Sequence, residues 1–207
     1  MLSIEHDLLE MASRAEMMFQ RAVQALTYLQ SHAAEQVIES DDRVDALDAK
    51  IELACLELLA DREQVDVDRR KVGTVLKMIT DIERVADLAV DLARCSLRVE
   101  SELGESGFVD LPRFSDIART MFHTAIESYA KQDVALISQV VRMEQQADKL
   151  FLELRDQAHQ SMQIHPEHAV TLSYLVVAIH DIERVADHSI NIAERVEFLL
   201  TGEMKSY

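Results

Sequence analysis

"LKMITDIERVADLAVDLA" runs from Leu76 to Ala93, and the seven residues "DIERVAD" within it, Asp81 to Asp87, return letter for letter at Asp181 to Asp187. From Val72 onward the apolar residues fall at Val75, Leu76, Ile79, Ile82, Ala86, Ala89 and Ala93. Steps of three and four trace one face of an α-helix. The stretch is therefore an amphipathic helix with charged residues set beside an apolar stripe. A packing requirement would hold the apolar letters and leave the charged ones free to drift. The identical return of Asp81, Glu83 and Asp87 raises the question of what those carboxylates do.

The repetition extends outward from the heptad. "AAEQVIESDDRVD" (Ala33–Asp45) aligns with "LISQVVRMEQQAD" (Leu136–Asp148), so that Val37 falls on Val140, Ile38 on Val141 and Asp45 on Asp148. Helical periodicity continues through most of the chain and predicts six helices, over about residues 3–30, 33–62, 68–100, 113–131, 133–160 and 166–201. "GESGFVDLPR" (Gly104–Arg113) carries two Gly and one Pro and reads as the linker. Pro166 suits a first helical turn, and Thr201-Gly202 a helix end. The fold expected is all-α: two tandem three-helix bundles related by internal duplication, residues 1–103 and 113–207. Each half, at about 100 residues, buries little surface alone. The two are expected to pack on each other.

Composition agrees. The 207 residues hold only 4 Gly, 2 Pro and 5% aromatics, with no Trp, while 48% are hydrophobic. Few helix breakers and a sizeable apolar fraction describe a helical globular chain. The formal net charge is −17, from 38 acidic and 21 basic residues. That balance argues against nucleic acid, which needs clustered Lys and Arg, and against adhesion to an anionic membrane. It suits cations or a basic protein surface. No run approaches the ~18 apolar residues of a membrane span. The acidic N-terminal segment is unlike a signal peptide. Cys55 and Cys95, outside any CxxC spacing, read as reduced buried thiols in a reducing cytoplasm.

The charged residues gather into pairs. Asp41/Asp45 and Glu83/Asp87 in the first half match Glu144/Asp148 and Glu183/Asp187 in the second. A spacing of four sets both carboxylates on one helical face, Cβ atoms roughly 6 Å apart, at a repulsive cost of a few tenths of a kcal/mol. At about 100° per residue, Glu83 borders the apolar stripe, and Asp87 and Asp91 continue its ridge. These side chains should line a helix–helix seam, where the helix of Asp41 and Asp45 can meet them. Clustered carboxylate oxygens are ligands for a hard or borderline cation such as magnesium, manganese, calcium or iron. Solvated acidic faces are also common, and Arg84 and Arg184 can pair locally with Asp81, Asp87, Asp181 and Asp187. His180 and His188 flank the second motif; either could serve as a ligand, but both read first as ordinary polar helix residues. No Glu-x-x-His, HExxH, Walker loop, GxGxxG or nucleophile motif occurs. Catalysis is not expected.

"LKMITDIERVADLAVDLA" and "LVVAIHDIERVADHSINIAERVEFLLTGE" (Leu175–Glu203) resemble the signature helices of the PhoU family of phosphate-uptake regulators, over nearly the whole chain and in both halves. The resemblance implies multinuclear metal clusters, of iron or zinc or else manganese or magnesium. The matching positions are Asp41, Asp45, Glu83 and Asp87, and Glu144, Asp148, Glu183 and Asp187. Asp91 is a weaker match, standing where Asn191 stands in the second half. It also implies a cytoplasmic, non-enzymatic negative regulator of phosphate-starvation genes, often a homodimer, that links the ATPase subunit of the phosphate ABC transporter to the phosphate-sensing histidine kinase. A related group serves low-affinity phosphate permeases. An interaction module whose acidic ridge meets a basic partner without metal stays open beside these. Two departures stand out. "DRR" (Asp68–Arg70) keeps most of a family motif that "HAV" (His168–Val170) lacks, and Ala86 and Ala186 replace the usual Gly.

Overall fold

With so few glycines and prolines the chain has few places to interrupt a helix, and the described residues of its computed structural model, 1–61, 68–99 and 110–207, form six long ones. They are α1 (Leu2–Tyr28), α2 (Ser31–Ala60), α3 (Arg69–Arg98), α4 (Leu111–Lys131), α5 (Val134–Ile164) and α6 (Ala169–Thr201). Helices α1, α2 and α3 pack as one bundle and α4, α5 and α6 as a second. The bundles join through α3 against α6 and α1 against α4. One apolar core runs through both, with Phe19, Met11 and Leu26 buried in the first half and Phe114, Phe122 and Met121 in the second. Ile82 and Ile182, from the two copies of the heptad, are both fully buried. Burial of such a side chain stabilises by roughly 1.5–3 kcal/mol. Cys55 and Cys95 are free and buried, as the sequence reading expects.

The duplication reaches the turns. α1 and α4 end at corresponding residues, Leu29 and Gln132, both left-handed at φ 51° and 53°. In each turn the next N–H bonds back five residues, Gln30 N to the Ala25 carbonyl at 2.9 Å and Asp133 N to the Ser128 carbonyl at 3.1 Å. This is the closing bond of a Schellman cap. It holds a residue with a side chain in a conformation that costs roughly 1–2 kcal/mol without such support. The copies then diverge. Asp133 caps α5, its Oδ1 accepting from Ala135 N at 2.8 Å, whereas Gln30 gives α2 no side-chain cap. Gln30→Asp should therefore stabilise the protein by about 1 kcal/mol. Thermal circular dichroism should register a rise of roughly 2–4 °C for a chain of this size.

Asp68 and His168 differ in the same way. The Asp68 carboxylate accepts from Arg70 N at 3.0 Å and Lys71 N at 3.2 Å, capping α3, while the side chain of His168 caps nothing in α6. The "DRR" to "HAV" departure is thus a lost helix cap. Pro166, expected in the first turn of α6, opens a separate 3₁₀ turn, Pro166–His168, and α6 begins at Ala169. Helix α5 continues to Ile164, past the expected end near 160, because "SMQI" holds no breaker. Helix α4 starts at Leu111, two residues inside the expected linker. Its N-cap Asp110 accepts from Arg113 N at 3.1 Å, and Pro112 occupies the first turn, where no N–H is missed. The remaining linker, 104–109, and the expected helix ends at 62 and 100 lie outside the described residues.

At the seam between the halves, α3 and α6 run antiparallel. Asp81 bonds to Asn191, and the charges of Asp181 and Asp91 act on each other. Ala86 and Ala186, the positions usually Gly in the resembling family, sit midway between those pairs, and both are buried. On α1 and α4 the halves are tied by Glu16, which bonds Arg119 and His123, each at 3.1 Å.

Candidate functional site

The first acidic row lies where α2 packs on α3. Asp41 on α2 and Asp87 and Asp91 on α3 line one cavity of about 250 Å3, together with Arg84, Arg94 and Arg184. Burial, then the charges of Asp45 and Asp87, hold the Asp41 carboxyl above the usual carboxylate range, against the pull of Arg94. Glu83 is raised likewise, first by burial and then by Asp87, with Asp48 and Asp45 adding to it and Arg84 opposing. Asp41, Asp45, Glu83 and Asp87 therefore share one field, as their spacing predicts. Glu83 and Asp87 are partly buried at the seam's edge, whereas Asp45 and Asp91 are exposed. Arg84 pairs with Asp87 at 2.7 Å and Arg94 with Asp91 at 3.0 Å.

The second row repeats this between α5 and α6. Burial, then Asp148 and Asp187, raise Glu144, and burial, then Asp187 and Asp148, raise Glu183. Asp187 is raised by burial above all, with His188 opposing and Asp148 adding. The rows are not equal. Where the first has the Asp91–Arg94 ion pair, the second has Asn191 and Glu194. Glu194 adds to the repulsion on Glu144, while Arg94 relieves Asp41.

An all-carboxylate donor set is chemistry suited to a hard or borderline cation. Raised carboxyls crowded at a seam store repulsion that a cation would relieve. On that chemistry the residues fit a metal. Among the described residues, however, no three His, Cys, Asp or Glu side chains converge as a ready coordination sphere. The rows are anionic surfaces on which side chains must turn to close on an ion.

The local pairing expected for the arginines is only partly present. Arg84 does bond Asp87, but Asp81 turns away from it and crosses to the other half. His188 Nδ1 lies 2.9 Å and Asn191 Nδ2 3.1 Å from Asp81 Oδ1, all three partly buried. His188, expected to be an ordinary polar residue, thus links the halves. His180 meets the Phe151 ring edge-on at 4.9 Å. Arg184 reaches the cavity of the first half, although its charge still eases Asp181, Glu183 and Asp187. Asp181 is only 6% exposed, its Oδ2 has no hydrogen-bond partner among the described residues, and burial followed by Asp91 pushes its carboxyl up to about 6.

Two contributors escape the pairwise pattern. Asp48 lies one turn beyond Asp45 and acts on Glu83, while Glu194 lies two turns beyond Asp187 and acts on Glu144. Extending each acidic ridge by three and seven residues would have found both.

Comparison with known proteins places the whole chain in one context. A family model described as "PhoU domain" matches residues 8–96 and again 111–196. The phosphate-specific transport system accessory protein PhoU homolog of Pseudomonas putida is 28% identical over 201 residues, covering 96% of this chain and 78% of that one. The corresponding protein of Escherichia coli, named without "homolog", is 26% identical over 204 residues, covering 97% and 83%. The crystal structure of PhoU from Pseudomonas aeruginosa superposes with a TM-score of 0.91 at 27% identity, covering 97% of both chains. That of the phosphate transport system regulatory protein PhoU from Streptococcus pneumoniae gives 0.89 at 22% identity, and shows likeness of fold. These names describe accessory and regulatory proteins and no enzyme, in line with the expectation of a non-catalytic chain. No helix among the described residues is long and apolar enough to cross a membrane.

Proposed function

The chain belongs to the PhoU domain family, and from that premise we propose that it is an accessory regulator of a phosphate transport system. The observation that carries this reading is the match of both halves, in register and over nearly the whole chain, to proteins named for that role. More finely, the protein acts as a cytoplasmic, metal-binding adaptor that joins the ATPase subunit of the phosphate ABC transporter to the phosphate-sensing histidine kinase and restrains phosphate-starvation genes. It works as a homodimer.

In this reading Asp41, Asp45, Glu83 and Asp87, with Asp91 at the edge, hold one metal cluster. Glu144, Asp148, Glu183 and Asp187 hold the other. Iron or zinc, or else manganese or magnesium, supplies the positive charge that neutralises each row. The shared field of each carboxylate set, with burial raising Asp41, Glu83, Glu144, Glu183 and Asp187, supports this assignment. The residues' own part is to keep acidic oxygens at a solvent-facing seam, where a neutralised row presents a different surface to a partner.

Co-purification with the transporter ATPase, with and without EDTA, tests the adaptor. Capture that disappears with chelator and returns with metal is the expected result. Capture indifferent to chelator would transfer the role to a metal-free acidic ridge meeting a basic surface. No capture of ATPase or kinase, together with capture of a low-affinity phosphate permease, would reassign the partner.

A further inference from the structure

Leu53 is 59% exposed and Leu56 49%. A single leucine in water needs no explanation, but these two belong to a row. Ala46, Ala49, Leu53, Leu56 and Ala60 follow one another at steps of three and four along α2, and all of them are exposed. The same helix buries Val44, Ile51 and Cys55 against its own bundle. At about 100° per residue the row faces away from them. This half of α2 is thus apolar on two sides, where a helix at the surface of a bundle needs one.

The duplicated half shows that the fold does not call for the second side. With Asp45 set on Asp148, the same positions of α5 hold Lys149, Leu152, Asp156, His159 and Gln163, all exposed and all polar but Leu152. The buried side is kept in both copies, since Val44, Ile51 and Cys55 fall on Ala147, Leu154 and Ala158, which are buried too. The outward row on α2 is therefore surplus to folding. Contiguous exposed apolar surface of that kind marks an interaction site.

The pattern of the row and its border define what fits. Steps of three and four make the seam that one helix offers to another, and the alanines at 46, 49 and 60 let a second helix come close. Carboxylates border the row: Asp42 at its start, Asp45 and Glu52 along one side and Glu57 along the other, all exposed. None of these forms an ion pair among the described residues. The basic side chains on this stretch are Arg43, before the row's first residue, and Lys50, which is tied to Asp7 at 2.7 Å. A second copy of the chain would set the same carboxylates against each other, in a protein already at a net charge of −17. A helix with Lys or Arg beside its apolar edge is complementary on both counts.

We propose that the outward face of α2 docks a basic amphipathic α-helix of a partner protein, with the apolar edge on Leu53 and Leu56 and the Lys or Arg side chains on Glu52 and Glu57. The surface is distinct from the acidic rows, of which it borders only Asp45, and it requires no metal in them.

Fluorescence anisotropy of the full chain in EDTA tests this, at an ionic strength of ~0.15 M. The probe is a labelled synthetic helix with Leu at heptad positions a and d and Lys at e and g. Saturable binding is expected. Leu53→Gln/Leu56→Gln, which keeps every charge, should weaken it about tenfold or more. Glu52→Gln/Glu57→Gln should weaken it less and make it less sensitive to salt. Leu152→Gln, on α5, should bind as the parent does, and the same peptide with Glu at e and g should not bind. All these substitutions are at exposed positions, and circular dichroism checks that the helices remain. No saturable binding, or equal binding by the parent and Leu53→Gln/Leu56→Gln, would overturn the proposal. A parent dimer that Leu53→Gln/Leu56→Gln converts to monomer in sedimentation would overturn it too, and would give the face to a second copy. The adaptor reading is judged separately, by capture of the ATPase or kinase.

Discussion

In protein stripped by a chelator, a divalent cation at a hundredfold excess over its dissociation constant raises the melting temperature at pH 7 by roughly 5–11 °C. The figure follows from about 2.7 kcal/mol of linkage at that excess and roughly 2–4 °C per kcal/mol for a chain of this size. The gain arises because each acidic row is crowded in the folded state and relaxed in the unfolded one. Glu83→Gln/Asp87→Asn/Glu183→Gln/Asp187→Asn removes two proposed ligands from each row without changing their shape. It should melt above the metal-free parent, since repulsion is gone, and should not respond to the cation. A pH series gives a second handle. Asp41, Glu83, Glu144, Glu183 and Asp187 all have carboxyls raised in the folded state. Above their ordinary values of 3.8 for Asp and 4.5 for Glu, the folded state therefore holds more protons than the unfolded one. Metal-free stability contributed by these groups should rise as the pH falls from neutral toward those values. The cation's contribution should fade over the same range, because protonated carboxyls no longer bind it. A melting temperature unmoved by iron, zinc, manganese or magnesium would remove the metal from the mechanism.

Substitutions at the two seam aspartates should act with opposite sign. Asp81→Ala deprives His188 and Asn191 of their acceptor in a partly buried setting and should destabilise by about 1–3 kcal/mol. Asp181→Asn removes a buried charge that no donor among the described residues compensates. A carboxyl raised from 3.8 to about 6 sets a ceiling of roughly 3 kcal/mol at pH 7, at about 1.36 kcal/mol per pH unit. The amide inherits part of the unmet hydrogen bonding, so a gain of about 1–2 kcal/mol is expected. The sign again follows from linkage. A raised carboxyl penalises the fold fully above about 6, and the penalty vanishes below 3.8. The advantage of Asp181→Asn should therefore be largest at pH 7 and nearly gone at pH 4. Urea denaturation at both pH values measures it. A destabilised Asp181→Asn at pH 7 would mean that Asp181 has a partner in solution.

The sequence by itself determined the six helices, their pairing into two copies, and the acidic rows, because each follows from short-range pattern. Period 3.6 identifies a buried face, a gap of four sets two carboxylates on one ridge, and an exact heptad repeat identifies equivalent positions. Gly and Pro were a poorer guide to the ends: Leu111 and Pro112, assigned to a linker, begin α4, because Asp110 caps them into it. Only the tertiary structure decided who faces whom. Asp81 finds donors 107 and 110 residues away, and Arg184 enters the cavity of the other half. Asp181, with the same six residues following it, finds Asp91 instead. Helical periodicity gives the direction in which a side chain leaves its own axis. What it meets depends on the antiparallel register of α3 against α6, and that register is set by the packing of both bundles together.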